Sequence, residues 1–459
     1  MTGIRNVKQL MNNSKSALDR KARRLVLSSI EAALNAVDPR DIIRAKVSLK
    51  GNVLRICGHP FDLGEFRNII VVGGGKASGL MAEALEKILE DRITNGIVNI
   101  PYDGVQLQLQ HIRLQEASHP VPDEASVRGV KRIIDLATSA DERDLIICLI
   151  SGGGSSLMPL PRRGISLQDK IMVTDQLLKS GATIDEINTV RKHISDFKGG
   201  WLAKRAYPTT VVNLILSDVI GDALDSIASG PTVPDTTTFR DAVKILKRYM
   251  LWSRVAESVR EVLLKGEKGL IPETPKADDE TFKKVHNFIV ANNRSASLAA
   301  YEKLKRDGLN TLFLTSQLEG EARHVGTVFA AIVKEIIESG KPICKPAGIV
   351  AGGETTVTVA GGGKGGRNQE LVLSASLRLE ELEGIAIASV STDGVDGPTD
   401  AAGAIADGQT VKQARNMRLD PLESLINNDS YGFFSRVHDL IFTGPTGTNV
   451  NDLTAVVVL

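Results

Sequence analysis

The chain has few of the residues that build disulfides, stack on nucleobases or draw a polyanion. Its three cysteines, Cys57, Cys148 and Cys344, are odd in number, far apart and without CxxC spacing. That excludes a disulfide framework and a cysteine zinc site, and fits a reducing compartment. Aromatic residues make up 4% of the chain, too few for base stacking to be a theme. Lys and Arg number 56 and Asp and Glu 55, a net charge of +1, so no long-range field favours nucleic acid or an anionic membrane as partner. The longest strongly apolar run, Leu145 to Ile150, is far shorter than the ~20 residues needed to cross a bilayer. The start of the chain carries no secretory apolar stretch, and the expected location is cytoplasmic. Residues 1–24 hold seven Lys or Arg and one acid, Asp19, the charge balance of a transit peptide. Against that, Leu18, Ala22, Leu25, Ala32 and Ala36 recur on one helical face with Pro39 beyond it, and a first helix is the plainer expectation. The seven histidines show no HExxH or other metal spacing. His119 and His193 are candidates to orient a substrate or, equally, turn histidines with satisfied rings.

What the chain does have is glycine, 42 residues of it, gathered in loops that follow short β-branched runs and precede amphipathic helices. That rhythm is the signature of an α/β fold, a mostly parallel sheet covered by helices. At 459 residues the chain exceeds the roughly 250–300 that one core supports. Two domains are expected, residues 1–268 and 280–459, joined by a Pro-, Gly- and charge-rich linker over 266–279. Strands are expected at Asn68–Val72, Asp144–Ile150 and Thr210–Leu216, and beyond the linker at His286–Val290, Asn310–Leu314, Gly348–Ala351, Thr355–Ala360 and Ile385–Val390. In open α/β sheets ligands bind beyond the carboxyl ends of the strands, so the loops there are the candidates for chemistry.

Gly73, Gly74, Gly75 and Lys76 stand between a strand and a helix start, where amides and dipole favour an anion and Lys76 adds a full charge. The run matches neither GxxxxGK[ST] nor GxGxxG. Ser151, Gly152, Gly153, Gly154 and Ser155 form a second such loop, suited to a carboxylate or phosphate and unlike the GxSxG elbow. Asp218 follows the third strand, where a carboxylate can hold Mg²⁺ or take a hydroxyl proton; Asp222 and Asp225 read as turn caps. Asp393 repeats the arrangement after Ile385–Val390 and is a candidate second metal contact. Gly361, Gly363 and Gly366, with Lys364 among them, spell GxGxxG ahead of a helix, and Arg367 presents a planar fork for phosphate oxygens. A dinucleotide site is the alternative reading of that loop, set against an acid 27 residues on, counted from Gly366 to Asp393, where about 20 is usual.

Taken in order, VVGGGKAS, ASHPVPDEAS, LISGGGSSLMPLP, INTVRKHISDFKGG, LSDVIGDALDSIASGPT, AGGETTVTVAGGGKGGRNQE, STDGVDGPTDAAGA and GPTGTNVNDL resemble the class II glycerate kinases, whose second domain is the MOFRL domain. The resemblance implies a Rossmann-like first domain, a smaller α/β MOFRL-type second domain and an active site in the cleft between them. It further implies ATP-dependent phosphorylation of D-glycerate to 2-phosphoglycerate with Mg²⁺. Family members have often carried the label hydroxypyruvate reductase, which makes an NAD(P)H-dependent reductase the rival; a non-enzymatic nucleotide sensor on the same fold is a third reading. Carried over by position, Lys76, Asp218 and Arg367 are the catalytic candidates, and Asn188, Arg191 and Lys192 meet substrate together with the Ser151–Ser155 loop. Gly352, Gly353, Glu354 and Thr355 lie against ATP with the loops at Gly73–Gly75 and Gly361–Gly366. The partner is a small molecule, and the protein is expected to be a monomer or a homodimer.

Overall fold

In the computed structural model, which describes residues 3–104 and 106–459, the chain forms two compact units, and neither is a continuous stretch. One unit is Pro39–Val290; the other joins Met1–Asp38 to Ala291–Leu459. The split therefore departs from the linear division at 266–279.

The Pro39–Val290 unit begins with a small antiparallel sheet of β1 (Val47–Lys50), β2 (Val53–Ile56) and β3 (His59–Asp62). Its main sheet is built from β4 (Asn68–Gly74), β5 (Ile93–Pro101), β6 (Ile112–Ala117), β7 (Asp144–Ile150), β8 (Thr210–Leu216) and β9 (Val285–Ala291). The order is β6-β5-β4-β7-β8-β9, and β4 to β8 pair in parallel. Every residue of β7 is buried, as are all of β4 and β8 but their first. Helices cover both faces of a parallel sheet, so its central strands read as unbroken apolar runs. The chain runs outward from β4 to β6 and then restarts on the other side at β7, so the topological switch point lies between β4 and β7. It is the Rossmann order expected of the first domain.

Between β7 and β9 the chain adds the helices Leu167–Lys179, Ile184–His193, Phe239–Arg248 and Glu257–Glu267. They share an apolar cluster that includes Val173, Leu177, Val190, Phe239, Val243 and Leu263. The segment expected to be a linker is packed onto this cluster. Arg162 donates to the Pro272 carbonyl at 2.6 Å, and the Glu273 carboxylate lies 3.0 Å from His193 Nε2. Thr274 donates to Asp235 at 3.0 Å. Polar and glycine-rich composition looks the same in a linker and in a loop whose backbone groups are bonded to a domain. The strand expected at His286–Val290 likewise belongs to the first sheet, as its edge strand β9.

The second unit is a mixed sheet of β10 (Asn310–Leu318), β11 (Ala347–Gly353), β12 (Ile385–Ser391), β13 (Gly403–Asp407), β14 (Leu440–Ile441) and β15 (Asp452–Val458) in the order β10-β11-β15-β12-β13-β14. β10 and β11 are parallel; the other neighbours are antiparallel. The last strand enters the middle of the sheet, between β11 and β12. Thr355–Ala360 is not a strand: only an isolated bridge joins Thr356 to Glu321.

The basic start of the chain is part of this unit. Its helix Ala17–Ala36 is capped by Ser16, whose hydroxyl accepts from the Asp19 amide. Ala22, Val26, Ile30, Ala33 and Leu34 are buried, while Leu18 is 42% exposed and Ala36 is also exposed, so the buried face is rotated from the expected one. Arg23 explains the shift. It is fully buried, 2.6 Å from both Asp407 and Asp439, and a paired arginine supplies a core position that apolar periodicity does not count.

Candidate active site

Three strand ends of the first sheet converge, and each brings one element of the site. After β4 the backbone turns at Gly75, whose φ is 152° and where a Cβ would overlap the Ser151 hydroxyl. Only glycine allows the β4 and β7 loops to approach this closely. The loops are stitched together: the Lys76 amide donates to the Gly152 carbonyl at 2.8 Å, and the Ala77 amide donates to Ser151 Oγ at 3.0 Å. Ser151 Oγ is also 3.0 Å from Ser78 Oγ. Ser151 is buried and its hydroxyl is spent on this joint, so of the expected substrate-binding residues it acts as a brace.

The loop after β7 faces the other candidates. A methyl group on Gly153 would lie 2.9 Å from the His119 ring and 3.4 Å from Lys76 Cγ. One on Gly152 would overlap Asp218 Oδ2. Lys76, His119 and Asp218 thus surround the same two glycines. The amides of Gly152 and Gly153 have no hydrogen-bond partner among the described residues. Two adjacent open amides beside a lysine form the concave donor pair that suits an anion. Gly154 packs under Ala228, and Ser155 Oγ is 3.0 Å from Ser229 Oγ, which in turn donates to Asn188 Oδ1 at 3.0 Å. Asn188 is therefore joined to the loop through one hydroxyl.

Two neighbours on the Ile184–His193 helix are engaged within the fold, Lys192 against expectation and His193 in line with one of its two expected readings. Lys192 Nζ lies 3.2 Å from Asp225 and 3.4 Å from the buried Asp235, which makes it a structural ion pair. His193 is buried with Nδ1 2.7 Å from the Thr189 carbonyl and Nε2 on Glu273, so its ring is satisfied within the fold. Arg191, between Asn188 and these two, has no side-chain hydrogen bond or ion pair among the described residues. Cys148 is not a nucleophile candidate, since burial pushes its thiol up to about 12.

In the second unit the glycine-dense loop is closed. The amides of Ala360 and Gly361 donate to Asn428 Oδ1, that of Gly362 to Asn427 Oδ1, that of Gly363 to the Asn427 carbonyl and that of Lys364 to Asp429 Oδ1. The helix that follows, Arg367–Ser376, already has a carboxylate at its start: buried Asp396 accepts from the Asn368 and Gln369 amides at 3.1 and 2.9 Å. An acid there occupies the place a pyrophosphate would take. Most of the amides in the loop expected to cradle a nucleotide are thus spent within the fold; among the described residues those of Gly365 and Gly366 have no such bond. Arg367 is likewise engaged, with Nε and Nη2 on Asp452 at 2.5 and 3.0 Å and Nη1 on Glu354 at 2.8 Å. Gly352 and Gly353 end β11, and a Cβ on Gly352 would overlap Asn293 Oδ1, while Thr355 is buried. Asp393 Oδ1 accepts from the Ser391 hydroxyl at 2.9 Å and the Val395 amide at 3.0 Å, closing its own turn. Among the described residues no three His, Cys, Asp or Glu side chains gather as a metal cage. Asp452, central to the Arg367 pair, sits in the quoted GPTGTNVNDL segment, but nothing in its spacing marks it as a partner for Arg367.

Residues 25–264 match the family described as a domain of unknown function, DUF4147, and residues 347–452 match the MOFRL family. A glycerate 2-kinase of Pyrococcus horikoshii is 45% identical, with 95% of this chain and 97% of that protein aligned. A protein of Agrobacterium vitis named as a hydroxypyruvate reductase is 44% identical over 85% of this chain and 87% of its own length. The crystal structure of glycerate kinase from Thermotoga maritima superposes with a TM-score of 0.84 at 40% identity, covering 95% of this chain and 99% of that one. With both halves matched and the Rossmann-order sheet in place, the chain belongs to the class II glycerate kinase family, composed of a DUF4147 and a MOFRL domain.

Proposed function

We propose that this protein transfers the γ-phosphoryl group of ATP to the C2 hydroxyl of D-glycerate, giving ADP and 2-phosphoglycerate. The observation that carries the reading is the meeting of Lys76, the open amides of Gly152 and Gly153, and the Asp218 carboxylate at the switch point of one parallel sheet. The glycerate 2-kinase relative agrees with it. Phosphoryl transfer asks for positioning and charge neutralisation rather than covalent help. Lys76 and the two amides stabilise the equatorial oxygens as the bond to the β-phosphate oxygen breaks. Asp218 orients the substrate hydroxyl and takes its proton as the new O–P bond forms. Arg367 is assigned to the polyphosphate as a further cation, a role it must share with Asp452 and Glu354. A single carboxylate without a protein cage suits Mg²⁺, which binds through one or two carboxylates and the substrate's own phosphates. Asp218 would hold it, and when bound it supplies neutralisation of the transferring group. The three cysteines are free, which fits a reducing cytoplasm.

The names of some relatives favour hydroxypyruvate reduction as a second reading. Against it, the GxGxxG loop has the amides of Gly361 to Lys364 bonded to Asn427, Asn428 and Asp429 and its helix capped by Asp396. One preparation decides between them: ADP formation with D-glycerate and Mg-ATP, and NADH or NADPH oxidation with hydroxypyruvate. The expected result is Mg-dependent kinase activity alone, with the product a substrate for enolase. Reductase activity with no ADP formed would overturn the reading, and 3-phosphoglycerate as main product would overturn the regiochemistry.

A further inference from the structure

Among the buried cations of the Pro39–Val290 unit, Lys192 is held by the carboxylates of Asp225 and Asp235. Lys170 and Lys198 are not held in that way. Lys170, 5% exposed, gives its ammonium to the carbonyls of Ile194 at 3.1 Å and Arg191 at 3.5 Å; Lys198, 1% exposed, gives its own to the Ala228 carbonyl at 3.0 Å. Among the described residues neither has a carboxylate within ion-pair distance, and the Arg191 guanidinium beside them has no side-chain hydrogen bond or ion pair. Burial lowers all three groups, Lys170 to about 7, and repulsion adds to it at the two lysines, from Arg191 on both and from Lys170 on Lys198. Asp196 partly offsets this at Lys170, but it is taken by the Arg163 amide at 2.9 Å and lies 3.8 Å from Arg162. Like charges gathered out of water without a counter-charge are costly unless something supplies one.

The trio borders the site already described. Ala228, whose carbonyl holds Lys198, packs on Gly154, and Ser229 links Ser155 to Asn188, one helical turn before Arg191. Resting on the kinase reading above, we infer that Lys170, Arg191 and Lys198 form the seat of the substrate's carboxylate and make the enzyme select an acid over the matching neutral polyol. Arg191 offers the planar fork that a carboxylate accepts bidentately, and the two ammonium groups, each fixed by a carbonyl, supply charge from below. Lys192, its neighbour in sequence, is excluded from this role by its two carboxylates.

The test uses the full-length enzyme and the variants Arg191→Gln, Lys170→Met and Lys198→Met. The probes are D-glycerate, its uncharged amide D-glyceramide, and Mg-ATP. Each variant is expected to raise KM for D-glycerate by about 10–100-fold, the range of a hydrogen bond to a charged group, with a much smaller change in kcat. KM for Mg-ATP and the weak turnover of D-glyceramide should stay within about twofold. Because no buried acid is left unpaired, the variants should melt at or above the wild-type temperature in the absence of ligand, and Arg191→Gln, on a part-exposed side chain, serves if a lysine variant does not fold. An unchanged KM for D-glycerate, or a loss confined to Mg-ATP, overturns the inference while leaving the kinase reading intact. A wild-type enzyme that neither binds nor turns over D-glycerate overturns both.

Discussion

The Asp218 carboxylate rests directly against the backbone of Gly152: a methyl group on that glycine would overlap Oδ2 and come 2.9 Å from Cγ. The missing side chain is thus part of what sets the carboxylate's position. Gly152→Ala should push Asp218 out of line and lower kcat by about 10²-fold, the cost of a misplacement on the order of 1 Å. Its melting temperature should change little, because the new methyl meets the tip of a side chain. A wild-type kcat in a folded Gly152→Ala protein would show that the contact is incidental.

Asp218→Asn keeps the shape and removes the proton acceptor. Expected is a fall in kcat of about 10²–10⁴-fold, with KM for D-glycerate changed far less. Single-turnover measurement of ADP release checks it. If kcat is near normal, the carboxylate only closes the loop after β8.

Arg367 offers a separation of two roles. Arg367→Ala strands the buried Asp452 carboxylate and should lower both melting temperature and activity. Arg367→Lys returns a charge opposite Asp452 and should restore most of the melting temperature while leaving kcat about 10²-fold down, since a lysine lacks the fork. Recovery of both together would assign Arg367 to structure alone.

Arg23 is the test of whether the basic N-terminal helix belongs to the Ala291–Leu459 unit. Its guanidinium sits between Asp407 and Asp439, all fully buried. Arg23→Ala should destabilise the protein by about 3–5 kcal/mol, the range for breaking a buried pair, as read by urea unfolding. A loss below about 1 kcal/mol, the level of an exposed pair, would mean the helix is an ornament on this unit.

Glu273 carries a pH signature. Burial would raise its carboxyl, but His193 and the backbone amides of Phe239 and Thr274 outweigh it and hold the group down to about 2. A depressed acid stabilises the folded state above its unfolded pKa and ceases to do so as pH falls through the folded one. The stability deficit of Glu273→Gln should therefore be constant above about pH 5 and shrink as pH falls from about 4.5 toward 2. Thermal melts of both proteins across that range check it; a deficit independent of pH would put the interaction down to shape rather than charge.

Local patterns in the chain carried three central strands of the Rossmann-order sheet and the candidate loops that follow them. Strands buried on both faces must be continuously apolar, and loops that approach one another must be glycine, so Asn68–Val72, Asp144–Ile150 and Thr210–Leu216 with their loops were readable in linear order. Lys76 and Asp218 followed from their place at those strand ends.

Residue order could not say which partner each polar group would find. Two neighbours on one helix were taken by different fates: Lys192 by Asp225 and Asp235, Arg191 by nothing in the described structure. The GxGxxG run at Gly361–Gly366 spells a phosphate loop, yet the amides of Gly361 to Lys364 are bonded to a turn more than sixty residues later. Asp452, on the final strand, enters the middle of its sheet and meets Arg367 across 85 positions. The Ala17–Ala36 helix belongs with the last third of the chain because a buried arginine needs two acids that lie 384 and 416 positions away. Periodicity reports which face of an element avoids water; the counter-charge or acceptor that completes a buried donor is set by topology, and so it became known only once the chain was folded.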